Sequence, residues 1–219
     1  MEDPNAFAIV WLTGASCDGC TIRAIGDTTA GGLEALLTGT APGLPRLRLI
    51  HPVLSMETGD EFIALLNAAI RGDLGPFGLV VEASLPDDTD AGQVAYSTIG
   101  WENGEPVPVG TWLHRLAGNA EFVVAWGDCA VWGGPHSIGS NPVGAGGVAT
   151  RLGWDYRSRM GLPVVHLPGC SPPPTLISTL AAVLHWRLGT GPEPELDELY
   201  RPIGLYNGSW AGAFVAWSV

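Results

Sequence analysis

The sequence predicts an α/β domain built on an open, largely parallel β-sheet, and three features carry that prediction. Five apolar, β-branched runs recur along the chain, at residues 6–12, 46–51, 77–83, 121–126 and 162–167. Near-continuous apolar runs of this length are what strands buried on both faces require. Helix-forming stretches separate most of them, as the crossovers of a parallel sheet demand. Three of the runs end in a glycine-containing turn that delivers cysteine: Cys17 and Cys20 after the first, Cys129 after the fourth, Cys170 after the fifth.

Taken in order, residues 6–12 form the first strand, and 21–37 carry helix-forming sequence broken by Gly26, Gly31 and Gly32. The second strand, 46–51, stops at Pro52. Between 56 and 71, Phe62, Leu65, Leu66, Ala69 and Ile70 recur at helical spacing, and Glu57, Asp60 and Glu61 stand near the start, where the helix dipole favours acids. This is a crossover helix. The third strand, 77–83, runs into a loop at 84–88. Asn103-Gly104, between short alternating runs in 96–107, signals a hairpin that interrupts the βα rhythm, and 108–116 reads as a helix. After the fourth strand Cys129 falls in a loop that continues through glycine-rich 133–140, with a loose helical piece at 142–152. Cys170 follows the fifth strand at once. The prolines at 172–174 stiffen that loop and open the strongest helix, 176–188, because a first turn has no intrahelical donors for proline to remove. Beyond Gly189 the sequence turns Pro/Gly/Glu-rich and ends Trp- and Gly-rich, without a clear element.

The bulk properties narrow the classes. A chain of 219 residues suits one large domain. Its net charge is −12 and all ten basic residues are arginine, which excludes a nucleic-acid footprint. The acidic residues 1–5 lead straight into a strand and resemble neither a signal peptide nor a transmembrane span, so the expected location is the cytoplasm, free or peripheral to a membrane. Four cysteines are too few for a disulfide scaffold, which points to reducing surroundings. Nine tryptophans and a mean hydropathy of +0.22 call for either a large core or apolar surface covered by another protein.

Right-handed crossovers put the carboxyl ends of all parallel strands on one edge, where such sheets bind ligands, so the four thiols converge there. A redox dithiol would need only Cys17 and Cys20. Four thiolates suit structural zinc or a [4Fe–4S] cluster, and because Cys129 and Cys170 come singly from separate loops rather than as a second close pair, the cluster is favoured. Gly14, Gly19, Gly127 and Gly169 beside the cysteines are expected to let the backbone approach closely and donate N–H groups to sulfur.

These residues carry a resemblance. Trp11-Leu-x-Gly14, Cys17-x-Gly-Cys20, Val-Val-Glu82 with Pro86, Ala125-Trp-Gly-x-Cys129-Ala-x-Trp-Gly-Gly134, Asn141-Pro142 and Pro168-Gly-Cys170-x-Pro-Pro are together similar to the small subunit of the [NiFe] hydrogenases, in order and in spacing, from about residue 7 to 190. The resemblance implies a flavodoxin-like, doubly wound, mostly parallel sheet with helices on both faces over 1–190, followed by an extension at 191–219 that begins like the family's second cluster region. It implies that Cys17, Cys20, Cys129 and Cys170 hold one proximal [4Fe–4S] cluster, beside the Ni–Fe centre of a separate large subunit. Electrons from H2 would pass through this chain to an acceptor protein or quinone system. The implied assembly is an obligate heterodimer, with a pair of heterodimers as its extension by family analogy, and the chain alone would be catalytically inert. Thr13 stands where the family often has glutamate, and no cysteine follows Cys170 to hold further clusters.

Two other functions compete. The homologous cluster subunit of a complex-I-type quinone oxidoreductase is similar in fold but usually opens its site with adjacent cysteines, whereas Asp-Gly separates Cys17 from Cys20. A zinc-stabilised binding module would use the same four ligands. Beyond the thiols, Thr13, Asp18, Glu82, Asp128 and His136 are candidates for bracing the cluster or handling protons; Asp18 and Asp128 could also serve as oxygen ligands. Glu82 ends an apolar strand and needs a partner there, and bracing is its preferred role. His51 and His166 fall at strand ends as rim or structural groups, while His185 and Trp186 read as packing or interface residues.

Overall fold

The computed structural model describes residues 6–28, 31–87 and 96–206. Residues 1–5, the end of the 84–88 loop and the Trp- and Gly-rich tail 207–219 lie outside them. Among the described residues seven strands and eight α-helices follow in chain order: β1 (Phe7–Thr13), α1 (Gly19–Ile25), α2 (Gly32–Thr38), β2 (Leu47–Ile50), α3 (Asp60–Arg71), β3 (Phe77–Glu82), β4 (Thr98–Glu102), β5 (Glu105–Pro108), α4 (Val109–Ala117), β6 (Phe122–Trp126), α5 (Asp128–Trp132), α6 (Val148–Leu152), β7 (Val165–Leu167), α7 (Leu176–Arg187) and α8 (Ile203–Tyr206).

Five of the strands pair in parallel in the order β2-β1-β3-β6-β7, and β4 and β5 form a separate antiparallel hairpin. With the hairpin set aside this is the flavodoxin-like order, whose ligand crevice lies at the carboxyl ends where the winding reverses. The pleat explains the double winding. Ala8, Val10 and Leu12 of β1 face one core with Phe62 and Leu66 of α3 and Trp112, Leu113 and Leu116 of α4, whereas Phe7, Ile9 and Trp11 face the other with Leu33 and Leu36 of α2 and Leu180, Val183 and Leu184 of α7. All six residues of β3 are buried, as befits the central strand.

The hairpin turns at Asn103 and Gly104, both with positive φ, as a two-residue connection of this kind demands. Two expectations need correction. The helix expected from 56 begins only at Asp60, because the preceding residues are held in a turn: Ser55 bonds the carbonyls of His51 and Glu57, and Glu57 is engaged by Arg48 at 3.0 Å. Cys129 is not in a loop but on the one-turn helix α5. Residues 191–206 fold back on the edge strand: His166 N–H donates to the carbonyl of Tyr200, Leu196 bridges Pro202, and Tyr206 is buried in the same core as α7.

Candidate metal centre

The carboxyl edge of the sheet is tied together loop by loop. Ser84 N–H donates to the Ala15 carbonyl at 3.0 Å, Leu85 and Gly146 exchange a pair of backbone bonds, Gly127 N–H donates to Leu167 at 2.9 Å, and Asp128 N–H donates to Gly169 at 3.0 Å. The loops after β1, β3, β6 and β7 thereby form one rim. Cys17 is exposed in the turn before α1, Cys20 is half-buried in the first turn of α1, Cys129 is half-buried on α5, and Cys170 is exposed after β7.

The four thiols are electrostatic neighbours. Burial, followed by Glu82 and the other three thiols, pushes Cys20 far above the ordinary thiol range. Burial, then Cys170 and Cys17, then Asp128 and Glu82, pushes Cys129 up to about 11. Cys170 is raised by burial, Asp128 and Cys17. Such a set resists ionising by itself and becomes a set of thiolate ligands only against a compensating positive centre. Among the described residues no three His, Cys, Asp or Glu side chains close on a single ion.

Two glycines shape the space around the sulfurs. Gly127 has φ +89, and a Cβ there would stand 2.3 Å from Cys20 Sγ; Gly134 has φ +57, and its Cβ would stand 2.6 Å from Cys129 Sγ. Glycine is required at both positions by conformation and by space. The expected gift of glycine N–H groups to sulfur does not hold for three of the four. Gly14 N–H donates to the Glu82 carbonyl, Gly127 N–H to the Leu167 carbonyl, and Gly169 N–H to Asp128 Oδ1. Unpaired donors lie elsewhere: the buried indole N–H groups of Trp11 and Trp126, in the same core as Cys20, have no partner among the described residues. Four thiols, glycine-cleared space and unpaired donors fit a sulfur-rich metal group.

The remaining candidates divide. Asp128 accepts the Gly169 N–H at 2.7 Å and so braces the Cys170 loop against α5; burial raises its pKa and this bond lowers it, with a net rise. Glu82, 1% exposed, accepts the Cys20 N–H at 3.1 Å and the Thr21 hydroxyl at 2.5 Å. Burial raises its pKa and these donors offset only part of the rise. Thr13 ends β1 in register with Glu82, Asp18 is held by Ser16 at 3.2 Å with φ 57, and His136 is exposed in the 3-10 turn Gly134–Ser137. His166 is buried and structural, with Nδ1 on the Leu199 carbonyl at 2.8 Å. His185 bonds Thr190 at 2.9 Å. Sequence reasoning missed Thr21, whose only signal is its place next to Cys20, and left His51 without a partner.

Comparison with known proteins bears on this rim. The family described as "NADH ubiquinone oxidoreductase, 20 Kd subunit" matches residues 17–184, from the first thiol to the last helix of the sheet. The chain belongs to that family. Similar proteins include hydrogenase small subunits. The Hydrogenase-2 small chain of Escherichia coli K12 is 28% identical over 213 residues, covering 94% of this chain and 49% of that protein. The periplasmic [NiFe] hydrogenase small subunit of Solidesulfovibrio fructosivorans is 33% identical, covering 91% and 55%. Among solved structures, the actinobacterial-type NiFe-hydrogenase of Ralstonia eutropha H16 superposes with a TM-score of 0.88 at 36% identity, covering 95% of this chain and 63% of that one. The kinship with [NiFe] hydrogenase small subunits implied by the motifs therefore holds, and so does the fold. The chain spans about half the length of the E. coli relative and little more of the S. fructosivorans one.

Proposed function

We propose that this chain is the electron-transfer small subunit of a [NiFe] hydrogenase, with Cys17, Cys20, Cys129 and Cys170 as ligands of one [4Fe–4S] cluster. The observation that carries the proposal is the coupled set of four thiols on one rim, in a chain whose relatives are named hydrogenase small subunits. A bound cluster would supply one-electron storage close to the Ni–Fe centre of a large subunit, where H2 is split into two protons and two electrons. The chain's own residues do the positioning. β1, β6 and β7 set the spacing of the three cysteine loops, Asp128 fastens two of them, and Gly127 and Gly134 leave room for sulfur.

Apolar side chains are exposed on α1 and in the turn after β2, with Ile22 67% and Met56 95% exposed, and Val53 and Ile25 also open. A large partner subunit covering them would make the heterodimer obligate. We read 1–190 as the cluster domain and 191–219 as the start of a further region. The free thiols suit a reducing compartment such as the cytoplasm, although some relatives are named periplasmic; among the described residues no helix is long and apolar enough to cross a membrane. The complex-I-type reading is less favoured, because the Cys-Asp-Gly-Cys step separates two thiols that such chains usually place side by side. The test is to replace each cysteine by serine in the complex and measure iron and visible absorbance. Each of the four variants is expected to lose or degrade the cluster, and a variant retaining an unaltered cluster removes that residue from the ligand set.

A further inference from the structure

Behind the thiols lies a buried hydrogen-bonded chain that ligation does not explain, and it begins at His51. The ring is 1% exposed and tilts against Trp11 with centroids 5.3 Å apart. Its Nδ1 accepts the backbone N–H groups of both Val53, at 3.0 Å, and Leu54, at 3.2 Å. A ring nitrogen that accepts two amides carries no proton, so the proton of the neutral imidazole is on Nε2. Nε2 lies 3.2 Å from Thr21 Oγ1 and donates to it. The hydroxyl then turns its own hydrogen to Glu82 Oε2, at 2.5 Å, and Glu82 Oε1 accepts the N–H of Cys20 at 3.1 Å. The groups run in one direction, from the 51–55 turn to the amide of Cys20.

That direction matters because of where Cys20 sits. First-turn amides of a helix have no partner inside it, and the N-cap of α1, Asp18, makes no side-chain cap bond. The carboxylate that serves the Cys20 amide comes instead from β3, 62 residues away in sequence. A threonine hydroxyl can donate or accept in several directions, and only a donor on its lone pair commits its hydrogen to one acceptor. We propose that His51 is a positioning residue of the thiol site: by donating to Thr21 it commits the Thr21 hydroxyl to Glu82, and so holds the Glu82 carboxylate on the amide of Cys20. The arrangement keeps a carboxylate beside Cys20 and keeps that amide away from sulfur. Both effects hold down the reduction potential of a cluster bound there, since added negative charge and fewer N–H bonds to sulfur disfavour the extra electron. Only this last step rests on the cluster reading.

Two readouts separate the geometry from the cluster. In the reduced full chain, hydrogen exchange at the Cys20 amide is compared with that at the β3 amides of Val80 and Val81, which report an intact sheet. His51→Leu and Thr21→Val are expected to speed Cys20 exchange by about tenfold or more at unchanged β3 protection, whereas Thr21→Ser stays near the parent. Unchanged Cys20 exchange in His51→Leu overturns the proposal, and if that variant does not fold, unchanged exchange in Thr21→Val overturns it alone. In the anaerobic complex, His51→Leu is expected to raise the reduced-to-oxidised ratio at fixed potential about tenfold, ~59 mV for a one-electron couple, with Thr21→Ser unmoved. An unmoved potential in His51→Leu overturns the proposed effect on the cluster. A parent complex without a cluster would refute the hydrogenase reading and leave the exchange result to decide the role of His51.

Discussion

Replacing Gly127 with alanine tests how closely the fold is fitted to its sulfurs. Gly127 precedes Cys129 by two residues, with φ 89 and ψ 163, a region that residues with a Cβ scarcely visit and that costs about 1–3 kcal/mol to impose. The new Cβ would stand 2.3 Å from Cys20 Sγ. Non-bonded heavy atoms settle at about 3.5–4.0 Å, so the sulfur must retreat by more than about 1 Å. Functional groups need placement to within about 0.5 Å, which that retreat exceeds. Gly72→Ala is the control: its φ is +82, yet nothing lies within 4 Å of the added Cβ, so it carries a backbone cost of about 1–2 kcal/mol alone. The assay is iron per chain and visible absorbance after anaerobic purification, beside the thermal midpoint. Gly127→Ala is expected to lose most of its iron while remaining folded, and Gly72→Ala to lose midpoint but keep its iron. A Gly127→Ala protein with full iron and the parent spectrum would refute the claim that this glycine makes room for Cys20.

Asp128→Ala leaves the buried Gly169 amide without its 2.7 Å acceptor, at a cost of about 1–3 kcal/mol, and is expected to hasten iron loss to a chelator; Asp128→Asn keeps a carbonyl acceptor and should behave nearly as the parent. His166 is buried neutral, with its pKa lowered by burial to about 4, against about 6.5 when exposed. Between those values the unfolded chain binds a proton that the folded chain does not, so stability falls as pH drops from about 6.5 to about 4 and levels off below. The full shift is worth roughly 3 kcal/mol, and His166→Gln should flatten that part of the stability–pH curve. Curves that stay parallel would contradict it. Tyr206→Phe removes the hydroxyl that donates to the Pro168 carbonyl at 3.2 Å and should lower the thermal midpoint by about 2–4 °C, as a loss of about 1 kcal/mol does in a chain of this size; an unmoved midpoint would mean the bond contributes nothing.

Much of this was legible in the sequence because it depends on local pattern. Apolar runs ending in glycine-containing turns marked β1, β6 and β7, and parallel topology then obliges their carboxyl ends, with the four thiols, to share an edge. What was not legible depends on contacts between distant residues. Thr21 meets His51 across 30 residues and Glu82 across 61, and only the pairing of β1 with β2 and β3 brings the three together. The late start of α3 has a local origin that helical periodicity does not register, since Ser55 and Arg48 hold the preceding turn against a helical pattern that sequence alone would extend. α5 is a single turn, too short for periodicity to register. The glycine amides were misassigned because Gly14 and Gly127 continue backbone pairing beyond the strand ends, and Gly169 is taken by a carboxylate that no spacing rule points to.

The central claim is that the four thiols hold one [4Fe–4S] cluster beside a Ni–Fe partner, and metal analysis of the complex after anaerobic co-purification tests it most directly. About five irons and about one nickel per heterodimer, one cubane and one Ni–Fe site, is the predicted result. Iron without nickel would contradict the hydrogenase assignment in favour of a quinone-oxidoreductase subunit, and zinc alone would contradict the redox account altogether.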